Sequence, residues 1–444
     1  MSFIPNSPKI RRQMLNEIGV SDFETLLDSV PASLRLNRLL NLPKALSEYE
    51  LEKELSSLAL KNFQTGAIFA GGGAYDHFSP AAVDQILLRP EFFTAYTPYQ
   101  AEVAQGTLQA IYEFQTFICR LTGMSITNAS MYDAATAMAE AVLMAMSHSG
   151  RKHILISQGV NPNYIETIHS YLAGQNCKIE EIPLSDGITD YDRFREKLSD
   201  KTAAVVIQSP NFLGLIEKSS DFSREIKDKR ALFIAAYDPI SLGILAPPGE
   251  FGADIAVAEG QSLGLPLNFG GPYLGLLSCR TEFLRKIPGR LSGRTRDKNN
   301  NSGFVLTLQT REQHIKRDRA TSNICTNQAL CALAATVYMS LLGKMGLERI
   351  GRLCLSKAHY AANKITEIPG FSLKFKGPYF KEFVVQTPIP PGRLMEKLQK
   401  KGIIAGIDLG KYKMGYKGCL MVAVTEKRTK EQIDNLAYEL SKAV

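Results

Sequence analysis

Residues 258–275 read AEGQSLGLPLNFGGPYLG, a short apolar strand running into a glycine-rich turn. Upstream, residues 231–239 (ALFIAAYDP) form a continuous apolar run that ends in the carboxylate of Asp238. Gln261 opens the turn, and no lysine occurs between Lys229 and Lys286. A strand-end carboxylate followed by a strand-to-turn junction is the start of a buried site. The side chain at that junction is an amide, which is not a nucleophile.

Around this stretch the pattern alternates strand and helix. Continuous apolar runs predict strands at 153–157, 178–183, 203–208, 232–237, 255–258 and 273–278. Helical periodicity places helices near 133–147, 164–173, 191–198 and 222–229, with a longer one over about 99–121. Runs without polar alternation indicate a sheet covered on both faces, and helical crossovers imply mostly parallel pairing. The expected fold class is therefore α/β with three layers. Before it, residues 1–62 read as a helical arm, with Ser21–Glu24 and Ser47–Glu50 as capping boxes. The expected large domain spans 63–345. Two long helices (326–343 and 347–366) lead from it into a small α+β domain at 346–444, with strands near 371–375, 383–386 and 419–424 and helices near 392–401 and 431–442.

Composition excludes several function classes. The 444 residues are 45% hydrophobic and 22% charged, as in ordinary globular proteins. The N-terminal MSFIPNSPKIRRQ has no apolar signal core, and the longest apolar run, 329–342, is short for a membrane span. Seven scattered cysteines without a C-x-x-C pair suit a reducing cytoplasm and give no metal-ligand spacing. The net charge of +8 is concentrated between Arg285 and Arg319, where ten Lys/Arg face Asp297, Glu312 and Asp318. That patch suits an acidic protein or a carboxylate ligand, or is a solvated loop. With only Phe304 among its charges, it does not read as a nucleic-acid surface.

Candidate chemistry sits in few places. Asn128–Asp133 leads into the small-residue helix start AATAMAEAV, where free N–H groups and the helix dipole can hold an anion. Asp133 also reads as an ordinary N-cap that needs no ligand. Gly71–Gly73 lacks dinucleotide-loop spacing and reads as a flexible turn. Tyr96 and Tyr99 precede a helix, and His77 and His314 lack sequence-adjacent partners.

A strand-end aspartate followed by a strand-turn lysine is the layout of pyridoxal-phosphate enzymes of the aspartate aminotransferase fold (type I). There the aspartate keeps the pyridine nitrogen protonated and the lysine binds the cofactor covalently. The chain resembles one branch of these in four stretches: TAYTPYQAEVAQGTLQAIYEFQT (94–116), NASMYDAATAMAEA (128–141), EGQSLGLPLNFGGPYLG (259–275) and GFVLTLQTREQHIKRDRATSNICTNQAL (303–330). Together they resemble the glycine cleavage system P-protein family, and its alpha-subunit (subunit 1) branch in particular.

The resemblance implies an oxidoreductase system of glycine catabolism. In it glycine is decarboxylated with pyridoxal phosphate as electron sink, and the aminomethyl group passes to the lipoyl arm of the H-protein. It implies that the cofactor is bound by a partner beta subunit carrying the lysine, and that this chain completes an αβ or α2β2 heteromer, a heterotetramer in the second case. Gln261 stands in the lysine's place, so no catalytic residue is expected in this chain. The expected degenerate cofactor site comprises Ser130, Ala134, Asn161, Asp238 and Gln261. Tyr96, Tyr99, Arg290 and Arg294 are expected near a shared pocket or channel, the arginines facing the H-protein or the substrate carboxylate. Two departures deepen the degeneracy. Ala134 stands where the family has glycine in Y-D-G-A-T, and Asn161-Pro162 stands where a His-Pro pair is expected.

Overall fold

The computed structural model describes residues 6–36, 38–63, 65–268 and 270–444. The chain separates into two compact units, Met1–Gln64 and Thr65–Val444.

The first unit holds helices α1 (Pro8–Ile18) and α2 (Glu48–Ala59). Ser47 and Glu50 form the reciprocal capping box that starts α2, Ser47 Oγ accepting the Glu50 N–H and Glu50 accepting the Ser47 N–H. The box expected at Ser21 does not form. Asp22 instead accepts the Thr25 N–H at 2.9 Å, and only a 3-10 turn follows at Glu24–Leu27. Aspartate caps as well as serine does, and here it stands one residue nearer the turn.

In the second unit, α3 spans Gln105–Thr122, β1 Ile126–Thr127, α4 Ala134–Ser149, β2 His153–Ser157, α5 Pro162–Leu172 and β3 Lys178–Ile182. Next come α6 (Tyr191–Lys197), β4 (Thr202–Ser209), α7 (Ser219–Asp228), β5 (Leu232–Tyr237), β6 (Ile255–Glu259) and β7 (Gly275–Cys279). The sheet order is β1-β7-β6-β5-β4-β2-β3, parallel from β6 through β3 and antiparallel at β7 and β1. Side-chain alternation explains the unbroken apolar runs. Ile154, Ile156, Val206, Ile234 and Val257 meet one apolar layer, whereas Leu155, Val205, Ile207, Phe233 and Ala235 meet another. Both faces are covered, so both sets are apolar.

Helix α3 starts at Gln105 rather than near Tyr99. Ala104 caps it without a side-chain bond, and Val103 lies outside the helix, 82% exposed. A hairpin, β8 (Leu291–Arg296) with β9 (Ser302–Thr307), follows the sheet. Helix α8 (Ala329–Thr366) is long and apolar enough in composition to cross a membrane, but Gly343 breaks it at φ 60°, ψ −174°. Ala332, Ala334, Ala335 and Tyr338 on it are buried against Leu263, Leu274 and Ile240. The C-terminal part carries β10 (Ser372–Leu373), β11 (Glu382–Gln386), α9 (Pro391–Gln399), β12 (Ile407–Asp408), β13 (Cys419–Ala423) and α10 (Lys430–Ala443). Its strands form an antiparallel sheet ordered β10-β11-β13-β12, and its core extends to Phe212, Leu213 and Leu215 beyond β4.

Candidate functional site

Strands β4, β5 and β6 end at one edge, as the parallel order requires of a ligand crevice. Around that edge the lining includes Gly73, Tyr75, Tyr164, Asp238, Glu259, Ser262, Lys381 and Glu382, and the space left between them is about 30 Å³. That volume holds about two waters.

Asp238 caps the turn after β5, accepting the Ile240 N–H at 2.9 Å. Its other oxygen lies 2.6 Å from the ammonium of Lys381, whose side chain is 1% exposed. Lys381 immediately precedes β11, so a lysine absent from residues 230–285 arrives from the C-terminal sheet. Its Nζ sits 3.5 Å from the centre of the Tyr75 ring and donates to His77 Nε2 at 3.1 Å. Burial, and then the charge of Lys381, lower the pKa of His77. The neutral ring therefore donates from Nδ1 to Glu426, at 2.6 Å. Burial alone would raise the Glu426 carboxyl, but the bond from His77 holds it down at about 2. Cys354 Sγ lies 3.6 Å from the same carboxylate. His77, Cys354 and Glu426 thus come within 4.8 Å of one another, a cluster that sequence spacing does not reveal. The lysine, the imidazole and the carboxylate already satisfy one another there.

Gln261 is fully buried, and its amide is fully used. Oε1 accepts the Tyr75 N–H at 2.8 Å, and Nε2 donates to Tyr75 O at 3.0 Å and Leu265 O at 2.8 Å. The side chain therefore clasps the 72–77 segment much as a strand partner would. The same segment is held by Glu382, which accepts the Gly72 N–H at 2.7 Å and the Tyr75 hydroxyl at 2.8 Å. Burial raises the Glu382 carboxyl to about 7. The glycine run is therefore a packed turn rather than a flexible one. A Cβ on Gly71 would lie 2.3 Å from Glu382 Oε1, and Gly72 has φ +77°.

At the N-terminus of α4 the Asp133 cap accepts the Thr136 N–H at 2.8 Å. The Ala134 N–H does not face open space. It donates to Glu259 Oε2 at 3.1 Å, while Glu259 Oε1 accepts from Gln261 at 3.2 Å and Leu274 at 2.9 Å. Burial pushes the Glu259 carboxyl up to about 8, against the pull of those N–H donors.

The other expected residues are dispersed. Asn161 caps α5 through Asn163 at 3.0 Å and donates to Gly72 O at 2.9 Å. Ser130 holds a positive φ of 132°, and its hydroxyl accepts from Asn327 and Gln328 at the head of α8. Tyr96 is 87% exposed and borders a separate recess with Phe92, Ile111 and Leu333. Arg290 is buried, donating to Cys325 O and Asn327, with Tyr99 Oη 3.4 Å away. It is withdrawn from solution, which corrects the expectation that it faces a partner or a substrate carboxylate. Arg294 on β8 is exposed and donates to Ser302 at 2.7 Å.

A family model described as the glycine cleavage system P-protein matches residues 1–440. The chain belongs to the glycine cleavage system P-protein family. A relative from Chloroherpeton thalassium is 52% identical over 442 residues, 99% of each chain, and is named "Probable glycine dehydrogenase (decarboxylating) subunit 1". One of the same name from Moorella thermoacetica is 49% identical over 436 residues, 98% of each. A crystal structure of glycine decarboxylase (P-protein) of the glycine cleavage system, in inhibitor-bound form, superposes with a TM-score of 0.92 at 39% identity over all of both chains. Glutamate decarboxylase of Lactobacillus brevis, 13% identical with a TM-score of 0.69 over 94% of this chain and 97% of its own, shares the type I fold alone.

P-proteins work with pyridoxal phosphate, and the residues of this P-protein chain do not fit it. Gln261, which the resemblance sets at the covalent anchor, is an amide with three internal bonds. Asp238, which the resemblance sets against the ring nitrogen, is paired with Lys381, the helix N-terminus is taken by Glu259, and the space left is about 30 Å³.

Proposed function

We propose that the chain is the cofactor-free subunit of a heteromeric, cytoplasmic P-protein that decarboxylates glycine. The partner beta subunit holds pyridoxal phosphate on its lysine, and the aminomethyl group passes to the lipoyl arm of the H-protein. The observation that carries this reading is Gln261: a fully buried amide with every polar bond made internally stands at the anchor position. The contribution of this chain is then structural, forming the heteromer and framing the partner's site. Exposed apolar side chains of the N-terminal unit (Leu39, Leu42 and Leu60 among them) supply surface for a partner to cover. Arg294, Arg296, Lys298, Lys316, Arg317 and Arg319 remain exposed and suit an acidic carrier protein.

Exchange of bicarbonate carbon into glycine tests the reading. It should require this chain, the beta subunit and lipoylated H-protein together. Exchange that persists when this chain is omitted would mean a dispensable scaffold, and exchange by this chain and H-protein without the beta subunit would mean an enzyme in its own right.

A further inference from the structure

The degenerate site is not an empty remnant. Two polar side chains, the Glu259 carboxyl and the Lys381 ammonium, meet the groups that a phosphorylated pyridine would meet in this fold. Glu259 places two carboxylate oxygens among the N–H groups of Ala134, Gln261 and Leu274, at 2.9–3.2 Å. Lys381 places an ammonium 2.6 Å from Asp238 and 3.5 Å from the Tyr75 ring centre. Both come from the chain and line the same small cavity, Lys381 buried and Glu259 half-buried. Among its lining residues, buried Ser262 and Tyr237 have hydroxyls with no protein partner, so the pocket still offers unused polar groups.

We propose that Glu259 and Lys381 are built-in ligands: Glu259 occupies an oxyanion site at the head of α4, and Lys381 occupies a cation site at Asp238. The two sites are filled without any small molecule, and the chain folds without loading a cofactor. Removing either side chain exposes a latent subsite of defined chemistry. The first takes a phosphate-class anion, because three convergent N–H groups lose their acceptor. The second takes a small alkylammonium or protonated pyridine, because Asp238 loses its counter-charge. The inference rests on the fold and the site geometry alone, so it stands or falls separately from the role of the beta subunit and the H-protein.

The test uses the purified full-length chain. Glu259→Ala should gain a dose-dependent rise in melting temperature with inorganic phosphate over potassium chloride of equal ionic strength. Lys381→Ala should gain one with ethylammonium over sodium chloride. Wild type, Glu259→Gln and each mismatched pair of variant and ion should respond no more than to the control salt. Where an alanine variant does not fold, refolding yield is read instead: a yield that rises only with the matched ion upholds the assignment. Folded variants blind to their matched ion, equal responses in all chains, or refolding indifferent to the ion overturn it.

Discussion

Lys381→Met is the most informative single perturbation. The methionine keeps the length and apolar body of the side chain beside Tyr75 but removes the ammonium. Asp238 is left with the N–H of Ile240 at 2.9 Å and that of Ser241 at 3.4 Å, and no opposing charge. Its side chain is 12% exposed, so little solvent compensates. Breaking a buried pair from one side costs about 3–5 kcal/mol. His77 Nε2 loses its donor as well. The figure is checked by urea unfolding of the full chain. Adding Asp238→Asn removes the stranded charge, and the double variant should recover about 1–3 kcal/mol over Lys381→Met alone, within the range of coupling between contacting residues. A cost below about 1 kcal/mol, or a double variant no more stable than the single, would refute the reasoning that Lys381 is the buried counter-charge on which Asp238 depends.

Gln261→Lys should not create a decarboxylase. It leaves the Tyr75 N–H without an acceptor, at a cost of about 1–3 kcal/mol, with the helix N-terminus and Asp238 still occupied; robust glycine exchange by that variant without the beta subunit sinks the reading. Glu140, Glu259 and Glu382 have carboxyls raised to about 7, 8 and 7 by burial, so the native state binds protons that the unfolded chain has released. Their contribution is full below about pH 4.5 and is lost as pH rises through 7 to 8. The urea midpoint should fall between pH 5 and 8, less steeply in Glu259→Gln, and an unchanged slope in that variant counts against the assignment. Charge reversal at Arg294 and Lys298 together should weaken H-protein binding and flatten its salt dependence. Arg290 is unsuitable for that experiment because reversal there buries an unpaired charge.

The fold was legible because its signals are local. Short apolar runs such as 153–157 and 255–258, separated by amphipathic helices, specify a covered parallel sheet without distant information. Asp238 and Gln261 were legible for the same reason, lying at the ends of two such runs. The substitutes were not. Lys381 and Glu382 reach the pocket from the C-terminal sheet, Glu426 reaches His77 from the turn after it, and nothing in their own neighbourhoods marks them. Glu259 was overlooked beside Gln261, although a carboxylate within an apolar strand end is a signal that sequence does carry. His77 read as a lone histidine because its partners lie about three hundred residues away. Arg290 read as part of a solvated basic run, because charge density along a chain does not show that one guanidinium turns inward onto Cys325 and Asn327.

The most direct measurement is where the cofactor sits in the assembled enzyme. Borohydride fixes pyridoxal phosphate to the lysine that holds it, and peptide mapping of the reduced heteromer locates the label. The label is expected on a beta-subunit peptide alone, one per αβ pair, with none on this chain whether isolated or assembled. A stoichiometric pyridoxyl-lysine on this chain, at Lys381 or elsewhere, would contradict the account.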